Sequence, residues 1–403
     1  MAVLVQKYGG TSVEGPDRIR AVARRVAEAR RAGDDVLVVV SAMGQTTDEL
    51  LRLAHEVSAS PSRRELDMLL TTGERVSMAL LAMALHDLGV AAISFTGSQS
   101  GILTDAGHGA ARIIAVRPER LRAELDRGKV VIVAGFQGVN PDTKEITTLG
   151  RGGSDTTAVA LAASFGAARC EIFTDVCGVF SADPRVVPHA RVIPRLDYRV
   201  CSTLAHLGGQ VLHARCVDLA ARERVPLVVR SSFDDGEGTE IGDFTMEGPR
   251  VKAVAGRGDC SIAIVEGEAA ARGEARALLE AVADACPELD LVVHEQDGKG
   301  GHALVWVGSS EDVETMQRDF RALCGTGGAW TLNAEHGAGF VSVVGFGLTA
   351  REAAQAEGAL ERADVPVSAL RASPDALVFR VPGERVEDAT RALHAAFLES
   401  DGD

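Results

Sequence analysis

What most constrains this chain is an alternation in its first half between short apolar runs and longer stretches of helical periodicity. Residues 36–40 (VLVVV), 130–133 (VVIV) and 171–174 (EIFT) read as strands covered on both faces. A strand with one wet face would instead alternate apolar with polar residues. Residues 66–88, 155–165 and 207–224 read as helices. Alternation of this kind builds an α/β fold, a mainly parallel sheet with helices on both sides. Such sheets bind ligands beyond the C-terminal ends of their strands, which is where glycine and polar residues sit here.

Length and charge narrow the partners. With 403 residues the chain is too long for one core and implies two or three units. A net charge of −15 argues against nucleic acid or an acidic membrane surface, both of which need clustered Lys and Arg. No apolar run reaches membrane-spanning length, and the N-terminus lacks a secretion pattern, so a cytoplasmic protein is expected. The seven cysteines (170, 177, 201, 216, 260, 286 and 324) include no C-x-x-C pair, which fits reduced, mostly buried thiols rather than disulfides or zinc.

Composition shifts after residue 230. An acidic, Gly-rich stretch without periodicity reads as a linker over 234–250, so the first unit spans 1–233. Beyond it, 251–335 and 336–403 repeat one order of elements, β-α-β-β-α, which suggests two small α+β domains with antiparallel sheets. A single irregular α+β domain is the alternative.

Two clusters carry chemistry. Lys7, Gly9, Gly10 and Ser12 follow the first apolar run and precede a helical stretch. Adjacent glycines let backbone N–H groups approach a phosphate, and Lys7 adds a compact positive charge. The spacing is not that of a Walker loop. The second cluster, Thr147 to Asp155 (TTLGRGGSD), again lies between extended chain and a helix. Arg151 offers a planar fork for a carboxylate, whereas Ser154 and Asp155 could be ligands or merely helix caps. Together they suit a small molecule that carries both an acid and an amine.

KYGGTSV (7–13), VVVSAMG (38–44), LLTTGE (69–74), TLGRGGSDTTA (148–158) and TDVCGVFSADPR (174–185) together resemble the aspartokinases of the amino-acid kinase superfamily. The likeness runs almost continuously over about 2–233. It implies an α/β/α sandwich that phosphorylates the side chain of L-aspartate with ATP and Mg²⁺, followed by two ACT-like, ferredoxin-like domains that pair subunits into a homodimer. By this resemblance Lys7, Gly9, Gly10 and Ser12 hold the transferring phosphate, and Ser41 and Thr47 face the amino acid. Glu74 meets its α-amino group, Arg151 its α-carboxylate, with Ser154 beside them, and Asp155 orients Lys7. Thr174, Asp175, Phe180, Arg185 and Gln210 match positions that line the nucleotide. No metal cage of the protein's own is expected, Mg²⁺ arriving with the nucleotide.

Departures from the family pattern cluster. Cys177 and Phe180 stand where relatives carry Asp and Tyr, and Gln210 stands where they carry a second phosphate-facing lysine. Neither 265–269 (VEGEA) nor 345–349 (GFGLT) has the family's D-x-P-G-x-A effector turn. Feedback by lysine or threonine is therefore not expected. Two other outcomes stay open, a kinase for a modified aspartate or other amino diacid and a ligand-binding pseudokinase.

Overall fold

The computed structural model describes residues 3–209, 211–244, 250–268, 274–285, 289–296, 301–323 and 329–399. They form two compact units, one made of Met1–Ser181 with Arg191–Pro249 and one of Ala182–Ala190 with Arg250–Asp403.

In the first unit an eight-stranded sheet runs in the order Arg195–Asp197, Thr239–Gly242, Leu227–Ser231, Arg169–Thr174, Val3–Tyr8, Asp35–Val40, Val130–Ala134, Ala92–Phe95. Every pairing is parallel except that between Leu227–Ser231 and Thr239–Gly242. The three expected apolar strands are its centre. Val36 to Val40 are fully buried, and each such side chain contributes roughly 1.5–3 kcal/mol on leaving water. Helices Gly15–Arg31 and Thr72–Asp87 cover one face, where Val22, Val26, Met78, Leu81 and Leu85 join a single apolar core. A smaller sheet of Ile113–Val116, Ile102–Thr104, Gln137–Val139 and Ile146–Thr148 leads directly into the second glycine cluster.

Three expectations need correction here. The helix expected over 66–88 is two helices, Arg63–Leu70 and Thr72–Asp87, interrupted at Thr71. The hydroxyls of Thr71 and Thr72 donate back to the Met68 and Leu69 carbonyls, which competes with the helical ladder. The run Arg63–Asp87 is long and apolar enough to cross a membrane on length and composition, yet it buries Asp67 and Glu74 and packs into the core of this unit. The helix expected over 207–224 is confined to Ala214–Glu223, behind a separate helix Tyr198–His206. Gly208, at φ 107°, ends the continuity. The linker expected from 234 contains the strand Thr239–Gly242, whose Thr239 hydroxyl donates to Ile193 O (2.7 Å) and accepts from Val179 N (2.9 Å). The acidic composition marks only the hairpin before it. At Gly238 (φ 79°) a Cβ would lie 2.0 Å from Val229 O.

The second unit is one antiparallel sheet in the order Asp290–Gln296, Gly301–Gly308, Val251–Glu268, Ala329–Gly345, Ala376–Pro382, Ala369–Ala372. It has two cores. One gathers Ala263, Val265, Leu278, Leu304, Val313 and Met316; the other gathers Val251, Val254, Val341, Leu360, Phe379 and Leu393. The two long central strands contribute to both. Residues 251–257 pair with the C-terminal end of Ala329–Gly345, and 261–268 pair with its N-terminal half. The two α+β parts are therefore not consecutive at 335/336 as expected. The second begins at Val251, and the first is inserted into it. Register shifts between Arg257 and Ile262, with Asp259 at φ 53°, hide this in the sequence by making a strand appear to start only at 261.

Candidate active site

Lys7 lies in the middle of the parallel sheet, level with Val39 on one neighbour and Ile172 on the other. An ammonium so deeply buried must be paired, and Asp155 Oδ1 stands 2.5 Å from its Nζ. Asp155 comes from the first turn of helix Gly153–Phe165. The cap of that helix is Gly152, so neither Ser154 nor Asp155 serves as its N-cap. Gly9 N donates to Phe173 O (3.1 Å), and a Cβ at Gly9 would lie 3.7 Å from the Lys7 ammonium. At Gly10 a Cβ would press to 3.0 Å on the carbonyl oxygens of Ala42 and Gly44. Ser12, in the turn Gly10–Val13, has a buried hydroxyl with no hydrogen-bond partner. A bare backbone turn, a buried ammonium and an orphaned hydroxyl form a cradle that phosphate oxygens fit.

The residues expected at the amino acid are placed as follows. Ser41 follows strand Asp35–Val40, its N–H donating to Tyr8 O (3.1 Å), and Thr47 lies half-buried in the first turn of Thr46–Val57. Glu74, in the first turn of Thr72–Asp87, is 3% exposed. Its Oε1 accepts from Ala42 N (3.3 Å), while Oε2 has no partner. Burial pushes this carboxyl up to about 7, and the backbone N–H groups of Glu74 and Ala42 offset only part of that rise. A cation supplied from outside would offset the rest. Arg151 is exposed and pairs with no carboxylate among the described residues. Flanking glycines fix its loop: Gly150 (φ 74°) and Gly152 (φ 66°) are left-handed, and a Cβ at Gly152 would lie 2.2 Å from Cβ of His213. Ser154 is buried against Gly135.

The residues expected at the nucleotide are more scattered. Thr174 ends strand Arg169–Thr174; its carbonyl accepts from Ser232 N (2.8 Å), and its hydroxyl donates to Asp175 Oδ1 (3.0 Å). Asp175 and Cys177 are exposed, and the Cys177 thiol donates to Asp234 (3.4 Å), which raises its pKa. Phe180 is half-buried, bridged to Val192. Arg185 belongs to Ala182–Ala190, which groups with the second unit, and its guanidinium grips Asp183 (2.7 Å). Gln210 lies outside the described residues.

Two residues that the motifs did not single out brace the Arg151 loop. Arg215 donates to Leu149 O (2.8 Å) and Ala111 O (2.7 Å), and Asp67 bonds Thr148 from helix Arg63–Leu70. The signal for Asp67 is an acid inside the apolar run Leu66, Met68, Leu69, Leu70. A carboxylate has no place there unless something holds it.

A lysine buried in a parallel sheet beneath a glycine turn, its ammonium paired with Asp155, lies in a unit that belongs to the amino acid kinase family, whose model matches residues 2–231. The aspartokinase of Mycolicibacterium smegmatis is 44% identical over 98% of this chain and 96% of its own length. That of Bacillus sp. strain MGA3 is 54% identical over 61% of this chain and 60% of its own. Among solved structures, Escherichia coli aspartokinase III in complex with aspartate and ADP (R-state) is 26% identical and superposes with a TM-score of 0.80, covering 98% of this chain and 99% of that one. The same enzyme with lysine and aspartate (T-state) gives 0.72 at equal coverage. The chain belongs to the aspartokinases.

Proposed function

We propose the following division of labour for this aspartokinase, which transfers the γ-phosphoryl group of ATP to the side-chain carboxylate of L-aspartate. Glu74 takes the α-ammonium group. The observation that carries this is its buried, unpartnered Oε2 on a carboxyl that burial alone has pushed up to about 7. Arg151, exposed and unpaired, takes the α-carboxylate with its planar fork. Ser41, Thr47 and Ser154 line the space between. The acceptor carboxylate is already an anion at neutral pH, so no general base is required. Alignment and charge neutralisation remain, and Lys7, held by Asp155, supplies the positive charge against the transferring group. Gly9, Gly10 and Ser12 cradle the phosphates, and Thr174, Asp175, Phe180, Arg185 and Gln210 belong to the nucleotide side.

Mg²⁺ travels with the nucleotide and adds neutralising charge there. Its main ligands are the phosphates. The second unit joins two copies in a homodimer, and the enzyme works in the cytoplasm. Its effector function is lost. In place of a Pro-Gly turn, the loop before Ala350–Arg362 has Gly347 at φ 57° and a capping box between Thr349 and Glu352.

The test is aspartate-dependent release of ADP, with the acyl phosphate trapped by hydroxylamine. Turnover with aspartate but not glutamate supports the assignment. Turnover only with another amino diacid would move the substrate. ATP binding without turnover would leave a ligand-binding subunit, the outcome that Cys177 and Gln210 favour.

A further inference from the structure

Asp67 is 1% exposed, on a short helix that touches no assigned ligand. Both its oxygens are used. Oδ1 accepts from the Thr148 hydroxyl (2.5 Å) and from Gly109 N (3.1 Å); Oδ2 meets His108 Nδ1 (2.6 Å) and lies 3.3 Å from Gly109 N. No lysine or arginine pairs with it among the described residues. Burying a carboxylate costs several kcal/mol before its bonds are counted, and an apolar side chain would join a helix to a sheet at less cost. A retained charge therefore points to a need for defined geometry.

The segments it joins show what that geometry serves. Thr148 ends strand Ile146–Thr148, three residues before Arg151. Gly109 and Ala110 lie under that same loop: a Cβ at Gly150 would stand 3.2 Å from Gly109 O and 3.6 Å from Ala110 Cα. Ala111 N donates to Thr148 O (2.9 Å), closing the layer. On the other side, the Asp67 helix runs through Thr71 into the helix that carries Glu74, and Gln137 Nε2 fixes the junction by donating to Thr71 O (3.2 Å). One carboxylate thus ties the segment bearing the ammonium-binding residue to the segment bearing the carboxylate-binding residue.

We propose that Asp67 is a positioning residue for the amino-acid substrate: by bonding Thr148, His108 and Gly109 it holds the Arg151 loop at a fixed distance from Glu74, and so sets the affinity for aspartate without touching it. This rests on the roles given above to Arg151 and Glu74. A carboxylate accepts from Thr148, His108 and Gly109 N at once without any of them changing role. An amide at 67 keeps the shape but turns an N–H₂ toward Thr148 or His108, so that partner must reverse to an acceptor, by hydroxyl rotation or by a change of tautomer, and a charge-assisted bond to the loop is lost.

The experiment is steady-state kinetics of the full chain with each substrate varied separately. Asp67→Asn should raise the KM for aspartate about tenfold or more, with the KM for ATP within about twofold of the parent and kcat within about threefold. Thr148→Val and His108→Ala should each move the aspartate KM the same way by about three- to fivefold, and they carry the test if Asp67→Asn fails to fold. Combined with Arg151→Lys, Asp67→Asn should add less than its separate effect, because both act through one contact. An unchanged aspartate KM, equal rises for both substrates, or full additivity with Arg151→Lys would overturn the positioning role. Arg151→Lys alone separates the two claims. No effect on aspartate there would defeat the role given to Arg151, whereas a large effect there with none from Asp67→Asn would defeat only the inference.

Discussion

The residues proposed to meet the amino acid and the transferring phosphate are held differently from those proposed for the nucleotide. In the first set Lys7, Glu74, Asp155 and Ser154, with Asp67 behind them, are buried, Arg151 alone being exposed, and the buried charges are held by short bonds or lack a partner. In the second set Asp175 is exposed, as is the neighbouring Cys177, and within the second unit the guanidinium of the exposed Arg185 pairs with Asp183. A buried charge that loses its partner costs about 3–5 kcal/mol, whereas an exposed pair contributes about 0–1 kcal/mol. Removing a partner therefore costs more stability among the buried charges than in the exposed pairs. The departures at Cys177 and Phe180 fall in or beside the second set, where the fold tolerates them.

The sharpest way to break this contrast is to remove the charges proposed to meet the amino acid and the transferring phosphate. Lys7→Ala, Glu74→Ala and Arg151→Ala should each lower aspartate-dependent kcat/KM by about two orders of magnitude or more. Lys7→Ala should act mainly on kcat, and the other two should also raise the aspartate KM. Wild-type-like kinetics in all three would end the site assignment.

Next in size is pH. In the role proposed for it, Glu74 takes an ammonium only when ionised, and burial raises its pKa to about 7. The aspartate KM should therefore rise by about tenfold per pH unit below 7 and level off above it, and Glu74→Gln should abolish that dependence. The sign for stability runs the other way. A carboxyl whose folded pKa is raised contributes fully in acid, and the contribution fades as pH climbs from the ordinary carboxylate range to about 7. The thermal midpoint of the ligand-free protein should show that loss, and Glu74→Gln should not.

Smaller still, Gln210→Lys should raise kcat or tighten ATP by a few-fold in the same assay, through an added positive charge on the nucleotide side. A fall would mean that the loop has been rebuilt around another cation. Smallest of all, lysine or threonine at a few millimolar should change nothing. Saturable heat on titrating either, with matching inhibition, would show a rebuilt effector site in the second unit.

Much of this could be read from the residues alone, unevenly. All-apolar runs at 36–40 and 130–133 read as central strands, and the glycine clusters after Val3–Tyr8 and Ile146–Thr148 marked the two turns that lead into helices. Local chemistry announces itself in such motifs. What depends on distant partners does not. Asp67 looked like one more helix residue, because Thr148 and His108 lie 81 and 41 positions away. The strand Thr239–Gly242 was hidden by the acidic hairpin that precedes it. The interleaved tail was hidden by a bulge that splits one strand into two apparent pieces.

That interleaving bears on how the chain comes off the ribosome. Residues 251–257 are made long before their partners, since Val251 pairs with Gly345, about ninety residues later. At about 5–20 residues per second, an apolar edge waits roughly five to twenty seconds for its neighbour while the inserted part is still emerging. Translation pausing within that window, or a stop codon soon after it, would leave Val251 and Val254 uncovered and ready to pair with another nascent chain.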